Sequence, residues 1–156
     1  MKKIYFPFLL LISLRGFSQT DTSIVKFHNP TSVSMTKGYS HSVDIDLGNC
    51  KMVIISGQIA LDKKGNLIGK DNLEEQTEQV FTNIKNIVAE SGGTMDDVIK
   101  IGIYMIDIKQ VQTVREVRNK FFNQQKPPTS TLVQVSKLVR DDLLIEIEAT
   151  AIITRK

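Results

Sequence analysis

Apolar and polar side chains alternate along 42–47 (SVDIDL), Gly48-Asn49 supplies turn chemistry, and 52–56 (MVIIS) is a short apolar run. This pattern predicts a β-hairpin. Residues 19–31 are polar and contain Asn29-Pro30, so they read as a flexible lead-in, with strand-like patterning from residue 32 onward. Lys63-Lys64-Gly65-Asn66 is again turn chemistry, and the chain stays irregular up to Asn72. There the period changes. Asn72 and Glu75 form a capping pair, Leu73, Val80, Ile84, Ile87 and Val88 fall on one helical face, and Gly92-Gly93 ends the helix. A strand over 98–105 follows, then a second helix over about 110–123 with Val111, Val114, Val117 or Arg118, and Phe121 inward. Pro127-Pro128 stops anything helical, and two strands, 131–138 and 143–153, finish the chain around the charged loop VRDD. The order of elements predicts an α+β domain: one mixed sheet with two helices on one face.

A sheet covered on one face only leaves the other to be explained. In the last strand Ile145, Ile147, Ala149 and Ala151 alternate with Glu146, Glu148 and Thr150, which sets two carboxylates and a hydroxyl on the second face. In the preceding strand Leu132, Gln134 and Ser136 share one side while Val133, Val135 and Leu138 lie mostly on the other, so both sides carry apolar residues. A partly apolar second face points to burial against another subunit.

The first residues change the charge balance. Residues 1–18 begin with Lys2 and Lys3, run apolar from Ile4 to Leu14 and reach small residues at Gly16 and Ser18, the layout of a signal peptide. The run is short for a membrane span and holds Pro7, and no Cys follows it for a lipid anchor, so the expectation is an exported protein, periplasmic or secreted, without a stable membrane anchor. Lys2, Lys3 and Arg15 belong to this leader; without them seventeen basic residues balance seventeen acidic ones. The basic footprint of a nucleic-acid binder is then missing. Residues 32–156 suffice for one domain with one core. The single Cys50 can form no internal disulfide and, with no motif around it, reads as a small hydrophobe.

Several stretches together resemble the RidA (YjgF) family: KGYSHSV, SGQIALD at 56–62, the helix EEQTEQVFTNIKNIVAESGGTMDDVIK, Asp107 after the middle strand, the helix ending in Phe121-Phe122, PPTSTLVQVSKL, and IEIEATA at 145–151. The resemblance spans about 37–153. It implies a chorismate-mutase-like fold in a homotrimer with a central barrel, and a small-molecule ligand in each cleft between subunits. It also implies hydrolysis of reactive imines and enamines to 2-oxo acids and ammonia, with no metal or cofactor. By the same resemblance Glu146 is the residue that positions or deprotonates water. Tyr39 lines the cleft, Gly57 sits in the SGQ turn, and Ser130, Thr131 and Leu132 occupy the strand entrance that holds the ligand.

At that entrance the sequence departs from the family pattern, because Ser130 stands where an arginine would fork onto the substrate carboxylate. Guanidinium and carboxylate match as a bidentate pair. Its loss removes about 2–5 kcal/mol of carboxylate binding at a buried site, whereas a serine hydroxyl returns only about 1 kcal/mol. Arg115 and Arg140 are the candidates to replace it, set against an ordinary role as solvated surface charges. Three functions follow: a hydrolase of imines or enamines with an altered substrate range, a non-catalytic small-ligand-binding protein on the same scaffold, and a ribonuclease, which the balanced charge disfavours. His28 and His41 show no partner in the sequence and are assigned no chemistry.

Overall fold

The computed structural model describes residues 23–155. The chain runs β1 (Val25–His28), β2 (Ser42–Asp46), β3 (Cys50–Gln58), α1 (Leu73–Glu90), β4 (Val98–Met105), α2 (Val111–Phe121), β5 (Thr129–Gln134) and β6 (Ile145–Thr154), with single 3-10 turns at Met95–Asp97 and Ile108–Gln110. The strands form one six-stranded sheet in the order β1-β2-β3-β6-β4-β5. Only β4 and β5 pair in parallel, and α2 supplies the crossover such a pair needs.

The first hairpin closes where expected. Gly48 adopts a φ of 84° and its N–H donates to Asp46 Oδ1 at 2.8 Å. Asn72 caps α1 as its sequence signature predicts: Asn72 Oδ1 accepts the Glu75 N–H at 3.2 Å, and Asn72 Nδ2 donates to Glu75 Oε1 at 2.8 Å. The inward face of α1 carries Val80, Phe81, Ile84, Ile87 and Val88, all fully buried against Val53, Ile55, Ile101, Ile103, Ile145, Ile147 and Ala151 of the sheet. Phe121 and Phe122 at the end of α2 close over Phe81, with ring centroids 5.2 and 5.6 Å away.

Gln76, completely buried on α1, donates from Nε2 to the carbonyls of Gly69 (3.1 Å) and Asp142 (2.9 Å) and accepts the Leu144 N–H at 2.8 Å. It thereby fixes the loop that leads into β6. Asn83 does the same for the loop after β3, donating to the carbonyls of Ile59 (3.1 Å) and Leu61 (3.0 Å).

Three strands differ from the sequence expectation. The stretch read as a flexible lead-in contains β1, which pairs along its length with β2, Val25 opposite Ile45 and His28 opposite Ser42; four residues with one partner strand leave too weak a periodicity to see. β5 occupies Thr129–Gln134 rather than 131–138, because its partner β4 runs from Lys100 opposite Thr129 to Met105 opposite Gln134 and then ends. β6 begins at Ile145 rather than 143 for the same reason, Ile145 being the partner of Met105.

Candidate functional site

Register assigns each strand residue to a face. Glu146, Glu148 and Thr150 of β6 lie beside Tyr104, Gly102 and Lys100 of β4, on the face away from the helices. The same face bears Ile54 and Phe27, 45% and 70% exposed, so it is part apolar and part charged as the alternation implied.

Glu146 is held by what is missing beneath it. β3 carries an irregularity between Ile55 and Gln58, and Gly57 within it has no side chain where the Glu146 carboxylate lies. A Cβ on Gly57 would fall 1.9 Å from Glu146 Oε1. Glu148 rests over Gly102 in the same manner, with its Oε1 2.8 Å from the corresponding position. The two glycines thus let two carboxylates lie flat on the sheet. Glu146 is half-buried and accepts no hydrogen bond from any described residue. Burial, and secondarily the charge of Glu148, push its carboxyl above the ordinary value. A carboxylate in that state is a stronger base than a solvated one.

The segment before β2 folds onto the Gly57 bulge through His41. This histidine is 3% exposed; its Nε2 lies 2.6 Å from the Ser34 carbonyl and its Nδ1 3.2 Å from Gln58 Nε2. The pairing assigns the proton to Nε2, which donates to Ser34, and leaves Nδ1 to accept from Gln58. The Ser56 N–H donates to the His41 carbonyl at 2.9 Å. Tyr39 packs edge-on against His41, ring centroids 6.0 Å apart, and is 53% exposed. Gly57 thus lies directly against Glu146, while Tyr39 reaches the adjoining residues Ser56 and Gln58 through His41, to which the sequence assigned no chemistry.

Ser130 and Leu132 lie elsewhere. They pair with Ile101 and Ile103 on the helix-facing side of the sheet, while Thr131 pairs with Gly102 on the open side, where Glu148 lies. Ser130 and Leu132 line a cavity of about 370 Å³ with Ile103, Ile108, Val111, Val114, Arg115 and Arg118. Arg140, the other candidate cation, donates from Nε to Asp142 Oδ1 at 2.8 Å and from Nη2 to Asp142 Oδ2, so its fork is occupied. Within one chain the expected site is thus split: Glu146 on one face of the sheet, Ser130 on the other. Among the described residues no three His, Cys, Asp or Glu side chains converge to hold a metal ion.

Sequence and fold comparisons find relatives over most of the described residues. Residues 30–153 match a family model described as Endoribonuclease L-PSP. A RutC family protein of Saccharolobus solfataricus is 43% identical over 100 residues, 64% of this chain and 78% of that protein. YyfA of Yersinia pestis, a structure from the conserved Rid protein family, superposes with a TM-score of 0.73 at 26% identity, covering 81% of this chain and 98% of that one.

The chain belongs to the RidA (YjgF) family.

Its α+β fold is that of the RidA structures. Escherichia coli TdcF, solved with bound serine, matches with a TM-score of 0.70 and 29% identity over 84% of this chain and 99% of its own. Membership of the RidA family makes this a small-molecule-processing protein. The same matches correct the expectation of a secreted or periplasmic protein with a signal peptide. That leader falls in 1–18, outside the described residues; the family assignment rests on 30–153, and the RutC and Rid relatives carry no indication of export. The charge balance does not depend on export, since within 30–153 fourteen basic residues face sixteen acidic ones.

Proposed function

We propose that this protein hydrolyses small reactive imines, with Glu146 as the base that activates water, and that its site is completed by a second copy of the chain in a homotrimer. The observation that carries the reading is Glu146 itself: a half-buried carboxylate without a hydrogen-bond donor, seated over a glycine and pushed toward higher pKa. Water adds to the carbon of a protonated imine as Glu146 takes a proton from it, and the C=N electron pair moves onto nitrogen. Glu146 returns that proton to nitrogen. The hydroxyl then loses its proton to the carboxylate, the C=O bond forms, and ammonia leaves. Water and the iminium ion thus become a carbonyl compound and ammonium, once Glu146 has passed on the last proton.

The split site supports completion by another copy of the chain. Glu146 cannot share a ligand with Ser130 through its own sheet, and an exposed face bearing Phe27 and Ile54 suits contact with another copy. Ser130 in place of the carboxylate-binding arginine shifts the substrate range from that of arginine-bearing relatives. The same serine favours the second reading, a small-ligand-binding protein without turnover. A ribonuclease is disfavoured by the acidic balance of 30–153.

Imines generated in situ by an amino-acid oxidase, with the remainder trapped by semicarbazide, distinguish these readings. The natural protein is expected to accelerate imine loss and Glu146→Gln to abolish the effect. Turnover that survives the substitution removes Glu146 as the base, and no turnover with any imine leaves the binding protein.

A further inference from the structure

We infer that Arg115, on helix α2, is the anion anchor of this protein, holding the carboxylate of an aliphatic ligand in the cavity that Ser130 lines. The inference rests on the proposed hydrolase reading and adds the residue of this chain that holds the anionic end of the ligand, across the cavity from Ser130.

Ile103 of β4, Ile108, Val111 and Val114 leading into and along α2, and Leu132 of β5 give the cavity an aliphatic lining. Its polar contributors are Ser130 and two guanidinium groups, Arg115 and Arg118, and no carboxylate lines it. Residues 111, 115 and 118 fall on one helical face, so the cations project on the same side of α2 as Val111. An aliphatic pocket with cations and a hydroxyl at its edge matches a molecule with an apolar body and one anionic end.

The two arginines are not equivalent. Arg118 Nη2 donates to Asn119 Oδ1 at 3.2 Å. Arg115 has no hydrogen-bond or ion-pair partner among the described residues, although Glu116 follows it directly; Glu116 Oε1 instead accepts from Gln112 Nε2 at 3.2 Å. All five of its N–H donors are therefore available, enough for a bidentate hold on a carboxylate. Strand β5 offers only a hydroxyl at Ser130, and the charge comes from the helix across the cavity. The anion binds against α2, with the tail over Ile103 and Leu132.

The test is calorimetric titration of 4-methyl-2-oxopentanoate and its uncharged amide at low ionic strength. The proteins compared are the natural one, Arg115→Ala, Arg115→Lys and Glu146→Gln. The natural protein is expected to bind the carboxylate at least tenfold more tightly than the amide, an effect of one charge-assisted contact of about that size. Arg115→Ala is expected to erase this preference while binding the amide as before, which a mere packing role would not do. Arg115→Lys retains part of it, because the charge stays and the fork is lost. Natural protein that binds neither compound, or a carboxylate preference that persists in Arg115→Ala, overturns the inference. Glu146→Gln separates the two readings. Arg115-dependent binding in a protein with no imine turnover rejects the hydrolase and leaves the anchor. Turnover with Arg115-independent binding rejects the anchor alone.

Discussion

Replacing Gly57 by alanine tests whether the position of the Glu146 carboxylate matters to function. The new Cβ would lie 1.9 Å from Glu146 Oε1, 2.8 Å from Cδ and 3.0 Å from Cγ. Carbon and oxygen do not approach closer than about 3 Å without repulsion, so the carboxylate must retreat by about 1 Å or more. The obstructed group is the end of a flexible side chain, and Gly57 is not among the glycines with positive φ. The substitution is therefore expected to change thermal stability by no more than about 1 kcal/mol. Catalysis should suffer far more, since a displacement of about 1 Å in a reacting group costs on the order of a hundredfold in rate. The assay is loss of oxidase-generated imine at neutral pH, with kcat/KM compared for natural protein, Gly57→Ala, Glu146→Gln and the double variant. Gly57→Ala should lose about two orders of magnitude, and the double variant should be no worse than Glu146→Gln, because the glycine acts only through the carboxylate. Full activity in Gly57→Ala, or a second large loss on the Glu146→Gln background, would refute the reasoning.

Three further outcomes follow. Burial and then Glu148 raise the Glu146 pKa, so activity should fall with acidification at a pH above the ordinary carboxylate range, and Glu148→Gln should move that limb downward but not restore the ordinary value; a limb unmoved by Glu148→Gln contradicts the pairing of the two carboxylates. A carboxyl raised in the folded state favours folding while protonated, and that contribution is lost as pH rises through the folded value; Glu146→Gln should accordingly raise Tm at neutral pH, with the difference vanishing below the unfolded value. Gln76→Ala leaves the Leu144 N–H and two carbonyls without their partner in a fully buried position and should cost about 2–4 kcal/mol in denaturant unfolding, whereas a loss within about 0.5 kcal/mol would mean that the loop before β6 is held by other means.

The parts of the fold governed by local pattern were legible in the residues. Helix α1 could be read from its cap, its apolar period and its terminal glycines, and the 98–105 strand from its apolar run. Strand ends could not, because β5 and β6 start and stop where β4 offers a partner, a fact of tertiary pairing. β1 escapes notice because a four-residue edge strand buries none of its side chains fully. Glu146 and Gly57 were both named, but their contact was not foreseeable from residues 89 positions apart. Gly102, alone in the apolar stretch IKIGIYM, was a signal that could have been used, since a glycine within a strand marks close approach of another group. Arg115 and Arg140 looked alike in the sequence; only the structure shows Arg140 bound to Asp142 and Arg115 facing the Ser130 cavity.

Subunit complementation tests most directly the central claim, that a working site unites Glu146 of one copy with the Arg115 cavity of the next. Glu146→Gln and Arg115→Ala chains, each expected to be impaired alone, are co-expressed with different affinity tags and the mixed assemblies isolated. Each mixed closed trimer has about one third of its clefts with both residues intact. Imine hydrolysis is expected near that fraction of the natural rate, well above either parent. Mixed assemblies no more active than the better parent would contradict it.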